Sequence, residues 1–385
     1  MKNTRKVIAI FGTRPEAIKM APLVKTLQDD PQIDCKVAVT AQHREMLDQV
    51  LNLFQIIPDY DLDIMRPGQT LFEITSRALL GLQNILLKEK PDLVLVHGDT
   101  STTFAGALAA YYSKISVGHV EAGLRSCNKY SPFPEEINRR LTGVLGDLHF
   151  APTRTAAGNL LREGHDSEEI FITGNTVIDA LLHTVQKEYK FRSSILNKVD
   201  FNSQRVLVLT THRRENWGEP MQQIYSAVRD LVQEFSDVVV VFPVHKNPAV
   251  RQVAKKTLGD LERVKLIEPL DYEPFANLLN KAYLVLTDSG GLQEEAPALG
   301  KPVLVLRENT ERPEAVTAGT VKLVGTNRDK IYQDAKQLLT DEKAYNNMAH
   351  AVNPYGDGQS SRRIQEALHY FWGWQKERPE FFVHK

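Results

Sequence analysis

The sequence predicts an α/β protein built from two Rossmann-like halves with parallel sheets. Short apolar runs rich in β-branched residues recur along the 385-residue chain: VIAIF (7–11), LVLVH (93–97), ISVGHV (115–120), VLVLT (206–210), VVVVF (238–242) and YLVLT (283–287). Runs of this kind suit strands buried on both faces. They alternate with helix-length amphipathic stretches, the pattern of a parallel sheet with crossover helices. Each run also ends in glycine or charge: GTRPEAIK, GDTSTT, EAGLR, THRREN, PVHKNP and DSGGLQEEA. Open parallel sheets take ligands beyond the carboxyl ends of their strands. The polar groups therefore fall where a ligand would sit, in both halves.

In chain order, the first half carries runs at 7–11, 35–40, 93–97, 115–120 and 147–151, and IFITG (170–174) closes it. These bounds give a first domain over residues 1–175. The polar stretch QKEYKFRSSILNKVDFNSQ (186–204) lacks a strong apolar period and marks the boundary region. Alternation restarts at Arg205 and runs to about Val324, so residues 176–361 form the second domain. The loop NPYGDGQSS (353–361) precedes a helix-like stretch that reaches about Trp374. Two facing Rossmann-like halves make a cleft, a favoured place for ligands.

Composition narrows the class. At 42% hydrophobic and 25% charged residues, the chain is an ordinary globular protein. A formal net charge of −1 gives no support to a nucleic-acid or membrane-surface partner. No apolar run approaches the roughly 18–20 residues of a membrane span. The basic start MKNTRK leads into a run that stops at Phe11, too short for a signal peptide. Two cysteines, Cys35 and Cys127, make no disulfide framework, and a cytoplasmic location is expected.

The strand ends supply the candidate site. In DSGGLQEEAPALGKPVLVL (288–306), Ser289, Gly290 and Gly291 open a helix after a strand, where backbone N–H groups favour an anion. Glu295, about a turn on, suits sugar or ribose hydroxyls. Alone, the motif also fits a tight turn capped by Asp288 or Ser289; the GKPVLVL that follows favours phosphate. GTRPEAIK (12–19) repeats the design, with Pro15 at a first helical position and Arg14 and Lys19 as cations for a diphosphate. HGDTSTT and HVEAGLR put Asp99 and Glu121 at two strand ends, and PFPEEINRR adds Glu135 with Arg139 at i+4. A lone Glu–Arg pair of that spacing is worth only a few tenths of a kcal/mol. Three carboxylates beside one cleft can instead supply an acid and a base. THRREN offers His212, Arg213 and Arg214, and a histidine there can bind or protonate a departing phosphate. His245 reads as structural, and the scattered histidines show no metal-ligand spacing. Neither GxGxxG nor GxxxxGK[ST] occurs, so the phosphate loops serve a nucleotide substrate, with no bound cofactor and no metal expected.

Together, FGTRPEAIKMAPLV, TAQHREMLDQVL, LVHGDTSTT, VGHVEAGLR, PFPEEINRR, FITGNTVIDALL, THRREN, LTDSGGLQEEAPALGKPVLVLRENTERPEAVTAGT and NPYGDG resemble the non-hydrolysing UDP-N-acetylglucosamine 2-epimerases, in family order over nearly the whole chain. The resemblance implies a GT-B-like fold with an interdomain active site, a C-terminal helix (about 362–376) returning to the first domain, and a homodimer. It implies interconversion of UDP-GlcNAc and UDP-ManNAc through UDP and 2-acetamidoglucal, feeding cell-surface polysaccharide. By motif position it implies Asp99, Glu121, Glu135, Arg139 and His212 as catalytic residues. Substrate contacts would come from Arg14, Lys19, Arg213, Phe275 (its backbone reading uracil), Ser289, Gly290, Gly291, Glu295 and Arg312, with Asp99, Glu121 and His212 touching substrate too. Many bacterial members carry a second, activating UDP-GlcNAc site, which would use Gln42 and His43 here. The chain departs from that pattern at Glu45 and Gly68, with Arg44 and Arg66 nearby.

Three other functions share parts of this sequence. A hydrolysing epimerase would release free ManNAc, but no kinase-like second domain is present. A GT-B glycosyltransferase would need an acceptor groove, and no basic or apolar membrane-facing patch is evident. A nucleotide-sugar sensor would not need Asp99, Glu121 and Glu135 together.

Overall fold

Two parallel sheets organise the computed structural model, which describes residues 4–41 and 44–383. The first contains β1 (Arg5–Phe11), β2 (Ile33–Val39), β3 (Tyr60–Asp61), β4 (Leu93–His97), β5 (Ser116–Val120), β6 (Leu148–Ala151) and β7 (Ile170–Ile172). Its spatial order is β3-β2-β1-β4-β5-β6-β7. The second contains β8 (Arg205–Thr210), β9 (Val238–Pro243), β10 (Val264–Ile267), β11 (Leu284–Thr287), β12 (Val303–Val305) and β13 (Val321–Leu323), in the order β10-β9-β8-β11-β12-β13. Tandem Rossmann-like sheets of this kind constitute the GT-B-like fold class expected from sequence.

The apolar runs become strands because helices cover both faces. Every residue of LVLVH in β4 is buried, and the VLVL of β8 likewise. Strand register is set by these runs: Val7 faces Leu93 and Ile10 faces Val96 across β1 and β4. β8 and β11 align so that Thr210 faces Thr287, whose hydroxyls bond at 2.6 Å.

Strand order decides where chemistry can occur. In the first sheet the chain winds outward from β1 to β3, then returns to lay β4 on the other side of β1. In the second it winds from β8 to β10 and returns to β11. Each reversal is a topological switch point, where diverging loops leave a crevice beyond the carboxyl ends of the strands. The loops there are those after β1 and β4 in one unit and after β8 and β11 in the other.

The short strands β3, β10 and β13 lie at sheet edges, where two to four residues leave little apolar pattern. The compact units comprise residues up to His183 with Tyr355–Val383, and Thr184–Pro354. The helix Ser360–Phe371 belongs to the first unit and packs on the helix Arg14–Gln28. Asp179 caps it, accepting from the Ser360 and Ser361 amides at 3.2 and 2.7 Å. Near its other end Gln365 and His369 both reach Asp30 at 2.6 Å. No described helix is long and apolar enough to cross a membrane.

Candidate active site

In the first unit, the loop after β1 is fixed by a buried carboxylate. Glu16 lies in the first turn of the helix Arg14–Gln28 and reaches back to the Gly12 and Thr13 amides at 2.9 and 2.8 Å. Its other oxygen accepts from the Thr100 and Thr103 hydroxyls after β4, at 2.5 and 3.0 Å. One side chain thus ties together the two loops of the switch point. Burial raises the Glu16 pKa, against the pull of these hydrogen bonds. Arg14 sits half-buried beside it, and among the described residues no hydrogen bond or ion pair engages its guanidinium.

Asp99 and Glu121 follow the paired strands β4 and β5. Glu121 has a left-handed backbone, φ 62°, unusual for a non-glycine residue. Its buried carboxylate forms an ion pair with Lys19 and accepts from Asn175 Nδ2 at 2.8 Å. Lys19 therefore engages the carboxylate set, where the sequence suggested a diphosphate clamp. Asn175 is held in turn by its amide, which donates to the Tyr355 carbonyl at 2.7 Å. The FITGNT and NPYGDG segments so meet behind Glu121. His97 approaches Glu121 at 3.9 Å, too far for a hydrogen bond. Burial brings His97 down to about 4, partly offset by the Glu121 charge.

Arg139 overturns one expectation. It pairs with Asp99 and, at 3.3 Å, with Glu136 three residues before it, instead of with Glu135 four residues before. Glu136 is fully buried and also accepts from the Ser126 and Cys127 amides at 2.9 and 3.2 Å and from Arg140 at 3.2 Å. Burial decides the partner: Glu136 points into the fold where Arg139 also lies. Glu135 keeps a buried carboxylate oxygen, Oε2, with no hydrogen-bond partner among the described residues.

In the second unit, Asp288 organises the switch point. Its buried carboxylate accepts from the His212 and Arg213 amides, both at 2.9 Å, and from Asn216 Nδ2 at 3.1 Å. It also lies 3.0 Å from His212 Nδ1. Burial works to raise the Asp288 pKa, but the His212 side chain and these amides outweigh it and hold it low. His212 itself stays well exposed, with His245 stacked on it at 6.3 Å between centroids.

The glycine turn after β11 is less open than the sequence suggested. The Ser289 amide donates to Thr287 Oγ1 at 2.9 Å, so it is spent within the protein. A hydroxyl two residues back in a buried strand captures it first. Gly290 and Gly291 remain at the mouth of the helix Leu292–Ala298. A Cβ on Gly290 would point toward Arg213 and Glu311, at 3.7 and 3.8 Å. On Gly291 it would lie 3.5 Å from Glu295. Glu295 has the buried Tyr272 hydroxyl beside it, whose pKa is pushed well up by burial and by that carboxylate. Arg312 gives its Nε to the buried Glu294. The Phe275 N–H donates to the Asp271 carbonyl at 3.0 Å within the first helical turn.

A sequence model of the family described as UDP-N-acetylglucosamine 2-epimerase matches residues 25–369. The UDP-N-acetylglucosamine 2-epimerase of Bacillus subtilis (strain 168) is 59% identical over 380 residues, 99% of each chain. The chain belongs to the UDP-N-acetylglucosamine 2-epimerase family. Among solved structures, the S. aureus MnaA–UDP co-structure aligns with a TM-score of 0.86 at 55% identity, covering 99% of this chain and 100% of that one. The UDP-GlcNAc 2-epimerase from Neisseria meningitidis bound to UDP-GlcNAc aligns at 0.83 and 51%, covering 94% of this chain and 99% of that one.

In this family member, two clusters gather the expected residues. Arg14, Lys19, Asp99, Glu121, Glu135 and Arg139 stand in the first unit, and His212, Arg213, Phe275, Ser289, Gly290, Gly291, Glu295 and Arg312 in the second. Gln42 and His43 lie outside the described residues. Sequence reasoning missed Glu16, Glu136 and Asn175, and read Asp288 only as a turn cap. Each sat inside a motif already singled out; Glu16 stands at the capping-box spacing from Thr13, a signal that could have found it, whereas the others serve distant segments and leave no spacing signature. The histidines also differ from expectation: folding brings His149, His165 and Glu169 together, with ligand atoms within 4.8 Å of one another. Their separation in sequence hid them.

Proposed function

We propose that this chain interconverts UDP-GlcNAc and UDP-ManNAc without net hydrolysis, by eliminating UDP to bound 2-acetamidoglucal, then returning the proton to the opposite face of C2 and UDP to C1. The observation that carries the proposal is the set of carboxylates at the first unit's switch point, Asp99 and Glu121 held beside cations and Glu135 with a buried, unpartnered oxygen. The C2 proton of a GlcNAc unit is not next to a carbonyl, so its direct removal is prohibitive. Departure of UDP places positive charge at C1 and acidifies that proton. A carboxylate then takes it, the C1–O bond electrons leave with UDP, and a C1–C2 double bond remains. Return of the proton to the other face and of UDP to C1 completes the inversion.

In this reading the second unit holds the nucleoside diphosphate. The Gly290 and Gly291 amides, His212 and Arg213 stabilise the departing charge, and Arg14 is a further substrate-contacting cation. Glu295 accepts from the ribose hydroxyls, and Arg312 joins the substrate contacts. Arg139 keeps Asp99 oriented. UDP-GlcNAc bound to the Neisseria relative and UDP bound to the S. aureus one support the substrate class. We further propose a cytoplasmic homodimer. The adjoining helices Leu71–Glu89, Ser101–Tyr112 and Glu135–Leu145 leave Leu80, Leu87, Tyr111, Tyr112 and Val144 more than half exposed, an apolar row suited to a second copy.

Proton NMR of the protein with UDP-GlcNAc in D2O, without added cofactor, tests the reaction. UDP-ManNAc carrying deuterium at C2 is the expected product. Free ManNAc with UDP would assign a hydrolysing enzyme, and an unchanged spectrum from either sugar would refute epimerisation.

A further inference from the structure

At the β6–β7 edge of the first unit, two imidazoles and a carboxylate share one small volume apart from the carboxylates of the candidate active site. His149 lies on β6 and is fully buried, yet neither ring nitrogen has a hydrogen-bond partner among the described residues. An imidazole carries a donor and an acceptor, and leaving a buried polar group unmet is costly. Such an orphan in a native core calls for an explanation, and a bound ion is one that also accounts for the neighbouring ligand atoms. His165 is half-buried, with its ring centroid 4.4 Å from that of His149 at 59°. Glu169 completes the group.

The fold makes this meeting unavoidable. Parallel pairing places His149 opposite Ile170, the residue after Glu169. A tight turn joins His165 to Glu169, with the His165 amide bonded to Leu160 at 3.2 Å and the Glu169 amide to Asp166 at 3.1 Å. Among surrounding charges, Arg125 is neutralised by Glu163 through two bonds at 2.8 and 2.6 Å. Asp147 and Asp166 lie near enough to act on Glu169, and His119 approaches from the β5 side. Arg378 also reaches the turn, pairing with Glu168 at 3.1 Å and donating to the Ser167 and Ile170 carbonyls, so the carboxylates of Glu169, Asp147 and Asp166 are left to set an anionic balance.

We propose that His149, His165 and Glu169 form a binding site for a divalent cation of the zinc class. Two imidazole nitrogens with one carboxylate oxygen suit Zn(II) and its first-row neighbours, whereas Mg(II) and Ca(II) prefer all-oxygen sets. Bonds of about 2.0–2.1 Å at tetrahedral angles put ligand atoms roughly 3.4 Å apart, so the turn must close slightly onto β6. A fourth position stays open to water. The ion takes up one of the two orphaned ring nitrogens of His149 and pins the Gly164–Glu169 turn to the sheet edge.

Co(II) titration of the metal-stripped full chain tests the site, read by visible absorption and by melting with and without Zn(II). One saturable Co(II) per chain, displaced by Zn(II), is expected, with a melting temperature raised by Zn(II). His165→Ala and Glu169→Gln, which leave the buried His149 in place, should each weaken Co(II) binding by about tenfold or more. Both should also lose the Zn(II)-induced rise while keeping the metal-free melting temperature. Absence of saturable binding, or binding undiminished in both variants, would overturn the proposal.

Discussion

Asp288 holds His212 by both its backbone and its ring, with the carboxylate 2.9 Å from the His212 amide and 3.0 Å from Nδ1. An imidazole that gives Nδ1–H to a buried carboxylate presents Nε2 outward in a fixed tautomer. The carboxylate is therefore a positioning residue for the histidine, not only the turn cap that its place after β11 suggests.

Asp288→Asn should uncouple that arrangement. We expect kcat to fall by roughly 10- to 1000-fold with a smaller change in KM, because the amide cannot fix the same tautomer or balance an imidazolium. Asp288→Glu should recover part of the loss. Steady-state kinetics across pH, with circular dichroism to confirm folding, checks this; unchanged kcat in Asp288→Asn would refute the positioning role.

Neighbouring glutamates should separate structure from chemistry. Glu136 is buried and accepts from two amides and two arginines, so Glu136→Gln should destabilise the fold by about 2–4 kcal/mol. Glu135→Gln removes no ion pair and should leave stability within about 0.5 kcal/mol while lowering turnover by about 100-fold or more. Urea denaturation and deuterium exchange at C2 of the substrate distinguish the two. Equal stability losses would remove the distinction.

These residues also show what the sequence can reveal. Strands such as LVLVH were legible because burial on both faces demands an unbroken apolar run. The loops of the site were legible because they follow those runs. Pairings were not: Arg139 has Glu135 and Glu136 within helical reach, and only burial selects Glu136. The Ser289 amide looked free because nothing in SGG tells that Thr287 turns its hydroxyl back to it. Local spacing names the candidates, and packing of distant segments assigns their partners.

Gly12 tests close approach at the first switch point. A Cβ there would fall 2.0 Å from Thr40 Oγ1 and 2.6 Å from Thr102 Oγ1, two buried hydroxyls bonded at 2.8 Å. Gly12→Ala should cost about 1–3 kcal/mol and displace Arg14, so activity should fall too. Thr40→Ala opens that space, and the double variant should recover part of the loss. A thermodynamic cycle from chemical denaturation measures the coupling. Purely additive losses would mean that the alanine methyl is accommodated elsewhere.

Acid should unfold the first unit through buried histidines. Burial lowers both His97 and His119 to about 4; the Glu121 charge opposes this at His97, and the Nε2 bond to the Gly98 carbonyl at 2.7 Å opposes it at His119. An unfolded chain protonates its histidines near pH 6.5. Below that pH the unfolded state takes up protons that the folded state refuses, so stability present above about pH 6.5 is lost progressively until the folded rings titrate near 4. Each ring should account for about 2 kcal/mol between about pH 7 and pH 5. His119→Gln can still donate to the Gly98 carbonyl but carries no titrating proton. Urea denaturation should show the stability lost between the two pH values smaller by about 2 kcal/mol in that variant, and an unchanged pH slope would mean that His119 titrates alike in the folded and unfolded chain.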